Sequence, residues 1–245
     1  MLSKSIFSLK KSLNLGNDAD EPSVEGAIAA LEMVIAASVA KHSTSLDSYI
    51  DEVRKWLDGW DALDDASRLF LPQAELLFDT IDTTDCEDFS PFILQYCRAL
   101  ENELLKKLFS AYTTDFHNRQ PNPASFLTQD LNDKKTGKFA KLLKLGQSKY
   151  TLGDMNFIMR LIKEHGETLQ RSQLLQDFRA FTLRYFESCI VEEKYLNQIH
   201  RITSDFRNHA AHPSVLGRDL ALQCRELVRN CINELILNYK GESGI

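Results

Sequence analysis

Residues 46–60 read LDSYIDEVRKWLDGW. Leu46, Tyr49, Ile50, Val53, Trp56, Leu57 and Trp60 recur at i, i+3, i+4, i+7 spacing, with Asp47, Asp51, Glu52 and Asp58 between them on the other face. That period belongs to a helix with one buried side. It returns over Thr151–Glu164, Arg171–Glu193, Tyr195–Ala211 and Val215–Tyr239, each of which reads as helix. Ser90-Pro91 opens another, with Ser at the N-cap and Pro at the first helical position, running through Phe92, Tyr96, Leu100, Leu104 and Leu108 to about Tyr112. Phe116–Asp133, with two prolines and five Asn/Gln, reads as a surface loop. No segment sustains the period-2 alternation of a half-buried strand. The expected fold class is all-α.

Outward from these helices, 245 residues suffice for one large or two small domains. The net charge of -6 is unevenly spread. Residues 1–88 hold 7 Lys/Arg against 18 Asp/Glu, and residues 89–245 hold 22 against 17. The shift near residues 82–90 divides an acidic N-terminal helical region, 1–88, from a basic helical domain, 89–245, where a polyanion would bind.

The same reading excludes several classes. Five cysteines (Cys86, Cys97, Cys189, Cys224, Cys231) without a CxxC pair make neither a zinc framework nor a secreted disulfide scaffold, so a reducing cytoplasm is expected. Cys224 and Cys231, seven apart, read as core thiols. Met1–Leu15 reads as a short amphipathic helix rather than a signal peptide. Val24–Ala40 is interrupted by Glu32 and falls short of the ~20 residues a span needs, so it reads as a buried helix and no membrane is expected. Neither GxxxxGK nor GxGxxG occurs, no carboxylates cluster to hold magnesium ions, and no cofactor is expected.

The chemistry-bearing segment is Arg207-Asn208-His209-Ala210-Ala211-His212, followed by Pro213. A histidine with a pKa near ~6.5 can give or take a proton at neutral pH, and an Arg fork matches phosphate oxygens. On a straight helix the two would stand about 140° apart, so they converge only where the helix ends, as Pro213 encourages by forcing His212 out of the helical region. Structural alternatives stand beside this. Arg207 can pair with Asp205 or Glu226, and His212 can be a loop residue packed on Pro213. Asn208 can position phosphate or satisfy the helix end, and His209 can line the cleft as an auxiliary donor or be exposed. His200, His209 and His212 can be considered as metal ligands, but no Cys or Glu at zinc-site spacing supports them.

This arrangement resembles the R-x4-6-H signature of HEPN domains, in which a polar residue often follows the arginine. The resemblance covers residues 90–240 and implies a HEPN-like helical bundle, here with additional N-terminal helices. It also implies a metal-independent endoribonuclease that uses the RNA 2'-hydroxyl as nucleophile, with Arg207 on phosphate, His212 moving protons and Asn208 positioning substrate. A homodimer with facing motifs, a role as toxin or antiviral-defence effector, and a regulatory protein partner belong to the same implication. Some members carry a tyrosine two residues after the histidine that their antitoxin modifies; Ser214 stands there in this chain. The alternative is a non-catalytic HEPN-like module that binds RNA, a nucleotide or a partner protein. Lys134, Lys135, Lys138, Lys141, Lys144 and Lys149, interleaved with Phe139, Leu142, Leu143 and Leu145, form either a helix that tracks an RNA backbone or a solvated lysine face.

Overall fold

The computed structural model describes residues 46–84, 87–145, 150–164, 166–212 and 215–240. The helices expected at Met1–Leu15 and Val24–Ala40, together with Cys86, Lys149, Pro213 and Ser214, lie outside the described residues. In chain order the helices are α1 (Leu46–Trp56), α2 (Asp65–Asp82) and α3 (Ser90–Leu104), whose end passes into a π-helical turn (Leu105–Ser110) and then α4 (Ala111–Arg119). Next come α5 (Pro123–Phe126), α6 (Gly137–Leu145), α7 (Leu152–Lys163), α8 (Glu167–Arg171) and α9 (Gln173–Tyr185). The last are α10 (Glu193–Arg201), a second π-helical turn (Ile202–Arg207), α11 (Asn208–Ala211) and α12 (Arg218–Leu237). The described residues contain no strand, only one antiparallel bridge between Phe186 and Tyr239. The fold is all-α.

Compactness divides the chain differently from charge. One unit joins residues up to Leu100 with Arg201–Asn233, and the other joins Glu101–His200 with the residues from Glu234. The motif therefore shares a unit with α1 and α2, and the expected boundary near residues 82–90 falls inside that unit.

In the first unit, polar contacts tie α2, α3 and α12 together. The Glu75 carboxylate is 4% exposed, accepts a short hydrogen bond from the Tyr96 hydroxyl, and is met by Arg225 Nη2 at 2.5 Å and Arg229 Nη2 at 3.0 Å. Each guanidinium also lies over aromatic faces, Arg225 on Phe78 (4.1 Å) and Phe92 (5.1 Å), Arg229 on Trp56 (4.5 Å). Burial, with Glu75 alongside, pushes the Tyr96 phenol well above its ordinary pKa, so it remains a donor. One turn pair further along, Arg218 Nε meets Asp82 at 2.7 Å. Asn233 Nδ2 donates to the Trp56 carbonyl and closes the end of α1. Cys97 and Cys224 lie 4.0 Å apart in this core, and Cys231 is buried as well.

The second unit is built on rings. Phe109, Tyr112, Phe139 and Phe178 contact one another at centroid distances of 4.9 to 5.8 Å, in tilted and edge-to-face pairs. Its helices begin on identifiable caps. Thr151 and Asp154 form a reciprocal capping box on α7, and Ser172 Oγ accepts from Leu175 N at the start of α9.

Three boundaries differ from the sequence reading. Phe116–Asp133 is no extended surface loop: α4 runs to Arg119, Asn122 caps α5 with Pro123 at its first turn, and Leu127 and Asp130 are buried. The buried Asp130 carboxylate accepts from Ser172 Oγ at 2.6 Å, a long-range partner that holds the segment inward. The helix expected from about Arg171 to Glu193 begins at Gln173 on the Ser172 cap but stops early at Tyr185, where Phe186 turns extended to reach Tyr239. Ser90 is already helical, and the cap at its N–H is the Asp88 carboxylate, 3.1 Å away.

Removing one partner from a buried ion pair leaves the others desolvated and unpaired. Glu75→Ala is expected to cost about 3 kcal/mol of unfolding free energy in urea titration. A loss below about 1 kcal/mol, the range of an exposed pair, contradicts the assignment of Glu75 as the tie between α2, α3 and α12.

Candidate functional site

The motif sits where α10 ends. Ile202–Arg207 forms a π turn, the wider i to i+5 geometry found disproportionately at functional sites, and a single α turn, Asn208–Ala211, follows. His212 then leaves the helix with φ -82° and ψ 162°, as expected for a residue before proline. Its N–H still donates to the carbonyls of Asn208 (3.2 Å) and His209 (3.1 Å), so its backbone is fixed at the helix end while its imidazole is exposed.

The buried side of this segment is Ile202, Phe206, Ala210 and Ala211. Arg207 and Asn208 are half-buried, His209 is exposed, and Arg207 Nη1 donates to Asn208 Oδ1 at 3.4 Å. The structure thus brings Arg207 and Asn208 together and leaves both imidazoles at the surface. The two acids considered as structural partners of Arg207 have other contacts. Asp205 meets Arg201 Nε at 3.5 Å and Ser204 Oγ at 2.6 Å, and Glu226 accepts from Asn230. Among the described residues no group of three His, Cys, Asp or Glu is placed to hold a metal ion.

Residues that the sequence reading did not single out hold the loop beyond His212. Asp88 Oδ1 accepts from Ser90 N, Ser90 Oγ (2.6 Å) and Leu216 N (3.3 Å), while Phe89 N donates to the Leu216 carbonyl at 2.9 Å. Leu216, on the far side of the motif, is pinned to the start of α3 by two hydrogen bonds, one to the buried Asp88 carboxylate and one from Phe89 N, while Ser90 holds that carboxylate in place with two more. No local pattern marks Asp88 for this, since its partner is 128 residues away.

The lysines belong to the second unit. On α6, Phe139, Ala140, Leu142 and Leu143 are buried, while Lys138, Lys141 and Lys144 are exposed, as are Lys134 and Lys135 just before it. Lys138 is engaged, 2.5 Å from Asp154, and Lys135 Nζ donates to Thr168 Oγ1 at 3.2 Å. Asp154 is held below the usual carboxylate range by Lys138 and the Thr151 bonds, against the opposing effect of its burial. Two of the five cations are therefore partly spent on structure.

Comparison with protein-family models, curated protein sequences and solved structures returns no match to this chain. No described helix is long and apolar enough to cross a membrane.

The geometry separates His212 and Asp88 by their structural roles. His212→Ala is expected to leave the unfolding free energy within about 0.5 kcal/mol of wild type, because an exposed ring contributes little packing. Asp88→Ala, which strands three donors, is expected to cost about 2 kcal/mol. Equal losses in parallel denaturant titrations would show that the imidazole is a packing residue.

Proposed function

We propose that this chain is a metal-independent endoribonuclease of the HEPN type, acting as a homodimer on RNA. The observation that carries the reading is the helix end itself. A half-buried Arg207 is held by Asn208, and an exposed His212 leaves the helix one turn later with a fixed backbone. An arginine so placed offers a planar fork to phosphate oxygens. An exposed imidazole can reach the reacting hydroxyls.

In the proposed reaction the RNA 2'-oxygen attacks the adjacent phosphorus as its proton passes to one imidazole. The bond from phosphorus to the 5'-oxygen breaks, and that oxygen takes a proton from a second imidazole. The products are a 2',3'-cyclic phosphate and a free 5'-hydroxyl, and no water is consumed. Arg207 stabilises the charge that gathers on the non-bridging oxygens, and Asn208 keeps the fork in plane. One chain supplies one His212, so a two-fold axis near the motif supplies the second without further sequence. Val215 (56% exposed) and Leu220 (39%) lie within eight residues of His212 and give such an axis apolar contact area. His209 is an auxiliary donor in this reading, and the exposed Lys134, Lys141 and Lys144 are RNA-binding candidates of the second unit taken by itself. A cytoplasmic toxin or antiviral-defence role, under control of a partner protein, follows from the same resemblance.

The test is incubation of the purified chain with mixed RNA in EDTA. Fragments ending in cyclic phosphate are expected from wild type, and none from His212→Ala or Arg207→Ala homodimers. Mixed dimers of the two variants are expected to recover part of the activity if the imidazoles and arginines of two chains share one site. RNA retained without cleavage assigns the non-catalytic binding module instead.

A further inference from the structure

The second unit holds an open-sided cavity of about 370 Å³ among the first π turn, α4, α9 and the segment after α12. Its volume lies within the ~300–1,000 Å³ common for small-molecule sites. Phe181, Tyr185 and Tyr239 supply aromatic walls, while Lys107, Asp115 and Asn118 supply polar groups. Nothing in the proposed RNA chemistry uses these residues.

Three separate devices fix this cavity's lining. The π turn carries Lys107, whose ammonium pairs with the fully buried Glu103 at 3.1 Å and lies 5.9 Å over the Tyr239 ring. The bridge between Phe186 and Tyr239 sets the two tyrosine-bearing strands of chain against each other: Lys240 N donates to the Tyr185 carbonyl at 2.8 Å and Glu187 N to the Asn238 carbonyl at 3.0 Å. The third device orients the carboxylate. Arg119 contacts Asp115 Oδ2 through Nε (2.8 Å) and Nη2 (2.7 Å), and its two terminal nitrogens also grip Asp177, which accepts from the buried Tyr112 hydroxyl at 3.0 Å. Both Arg119 contacts fall on Oδ2, which leaves Asp115 Oδ1 as the acceptor for a ligand.

The charges decide the ligand's class. Lys107 is answered by Glu103, and Arg119 is shared between two carboxylates, so neither holds charge to spare for a phosphate. Aromatic walls favour a flat ring, the Asp115 oxygen favours an N–H donor on its edge, and the exposed Asn118 carboxamide can both donate and accept. We infer that this cavity binds an uncharged, N–H-bearing heteroaromatic ring of the purine nucleoside class, held between tyrosines and read by Asp115 and Asn118. Guanine's adjacent ring and exocyclic N–H groups fit a carboxylate best, so guanosine is the probe. The site is independent of Arg207 and His212.

Titration of the full chain with guanosine, followed by calorimetry, is expected to show saturable one-site binding. Tyr185→Ala is expected to weaken it at least tenfold and Asn118→Ala about fivefold. Circular dichroism and melting temperature serve as fold controls; Asn118 is exposed, so its variant folds as wild type and keeps the test decisive if Tyr185→Ala does not. Guanosine 5'-monophosphate is expected to bind severalfold more weakly than guanosine, because Lys107 and Arg119 are already paired and Asp115 repels its phosphate. His212→Ala is expected to bind guanosine as wild type does. Absence of guanosine binding at millimolar concentration, unchanged affinity in the Asn118 variant, or equal or tighter binding of the monophosphate would overturn the inference. Loss of binding in His212→Ala would instead place the ligand at the motif.

Discussion

The unit that carries the motif depends on one carboxylate. Glu75 is buried on α2, and its two oxygens are divided among a phenol on α3 and two guanidinium groups on α12. Without it, Arg225 and Arg229, one turn apart on α12, would repel each other with no acid between them, their flat faces lying against Phe78, Phe92 and Trp56. A hydrophobic interface between these helices could slide by a turn at little cost. A buried charge with three directional donors admits one register. That register sets where α3 starts relative to α12, and hence where Asp88 meets Leu216. The position of the chain beyond His212 is thus set at one remove by Glu75.

Charge composition was the feature of the sequence most open to misreading. The acidic first third and the basic remainder suggest two bodies, whereas Glu75 and Asp82 of α2 are paired with Arg225, Arg229 and Arg218 of α12. The spacing of seven on both helices, 75 to 82 and 218 to 225, puts each set on one face. The asymmetry of the sequence is therefore, in part, the complementarity of two helices distant in the chain. Net charge by segment cannot distinguish that from a domain boundary, because both produce the same running sum.

Other features were legible because their causes are local. The all-helical class follows from a period carried by neighbouring residues, and α7 begins where Thr151 and Asp154 can cap each other. The end of α11 at His212 follows from the proline after it. Where a long-range contact decides, the local pattern misled. Phe116–Asp133 has the composition of a loop, yet Asp130 is drawn inward by Ser172, and the run expected to continue to Glu193 stops at Tyr185, where Phe186 bridges to Tyr239. Of the candidate site, the helix end at His212 was readable. The Asp88 clamp was not, since it needs two segments that only the fold brings together.

The two π turns were also written in the sequence, in a form easily taken for ordinary helix. Leu104, Leu108, Tyr112 and Phe116 are all buried, and so are Ile202, Phe206 and Ala210, each series spaced by four. On an α-helix a step of four residues overshoots a full turn by about 40°, so a long series of fours winds away from the core. Alternating threes and fours cancels that drift; a wider turn cancels it too. Both π turns lie within these series, at Leu105–Ser110 and Ile202–Arg207, and each restores the apolar stripe to the core. The extra residue must then project elsewhere. In the first turn Lys107 is delivered to the cavity wall, and the second ends on Arg207 at the half-buried margin of the motif. Packing demands on one side of a helix thereby place a cation on the other.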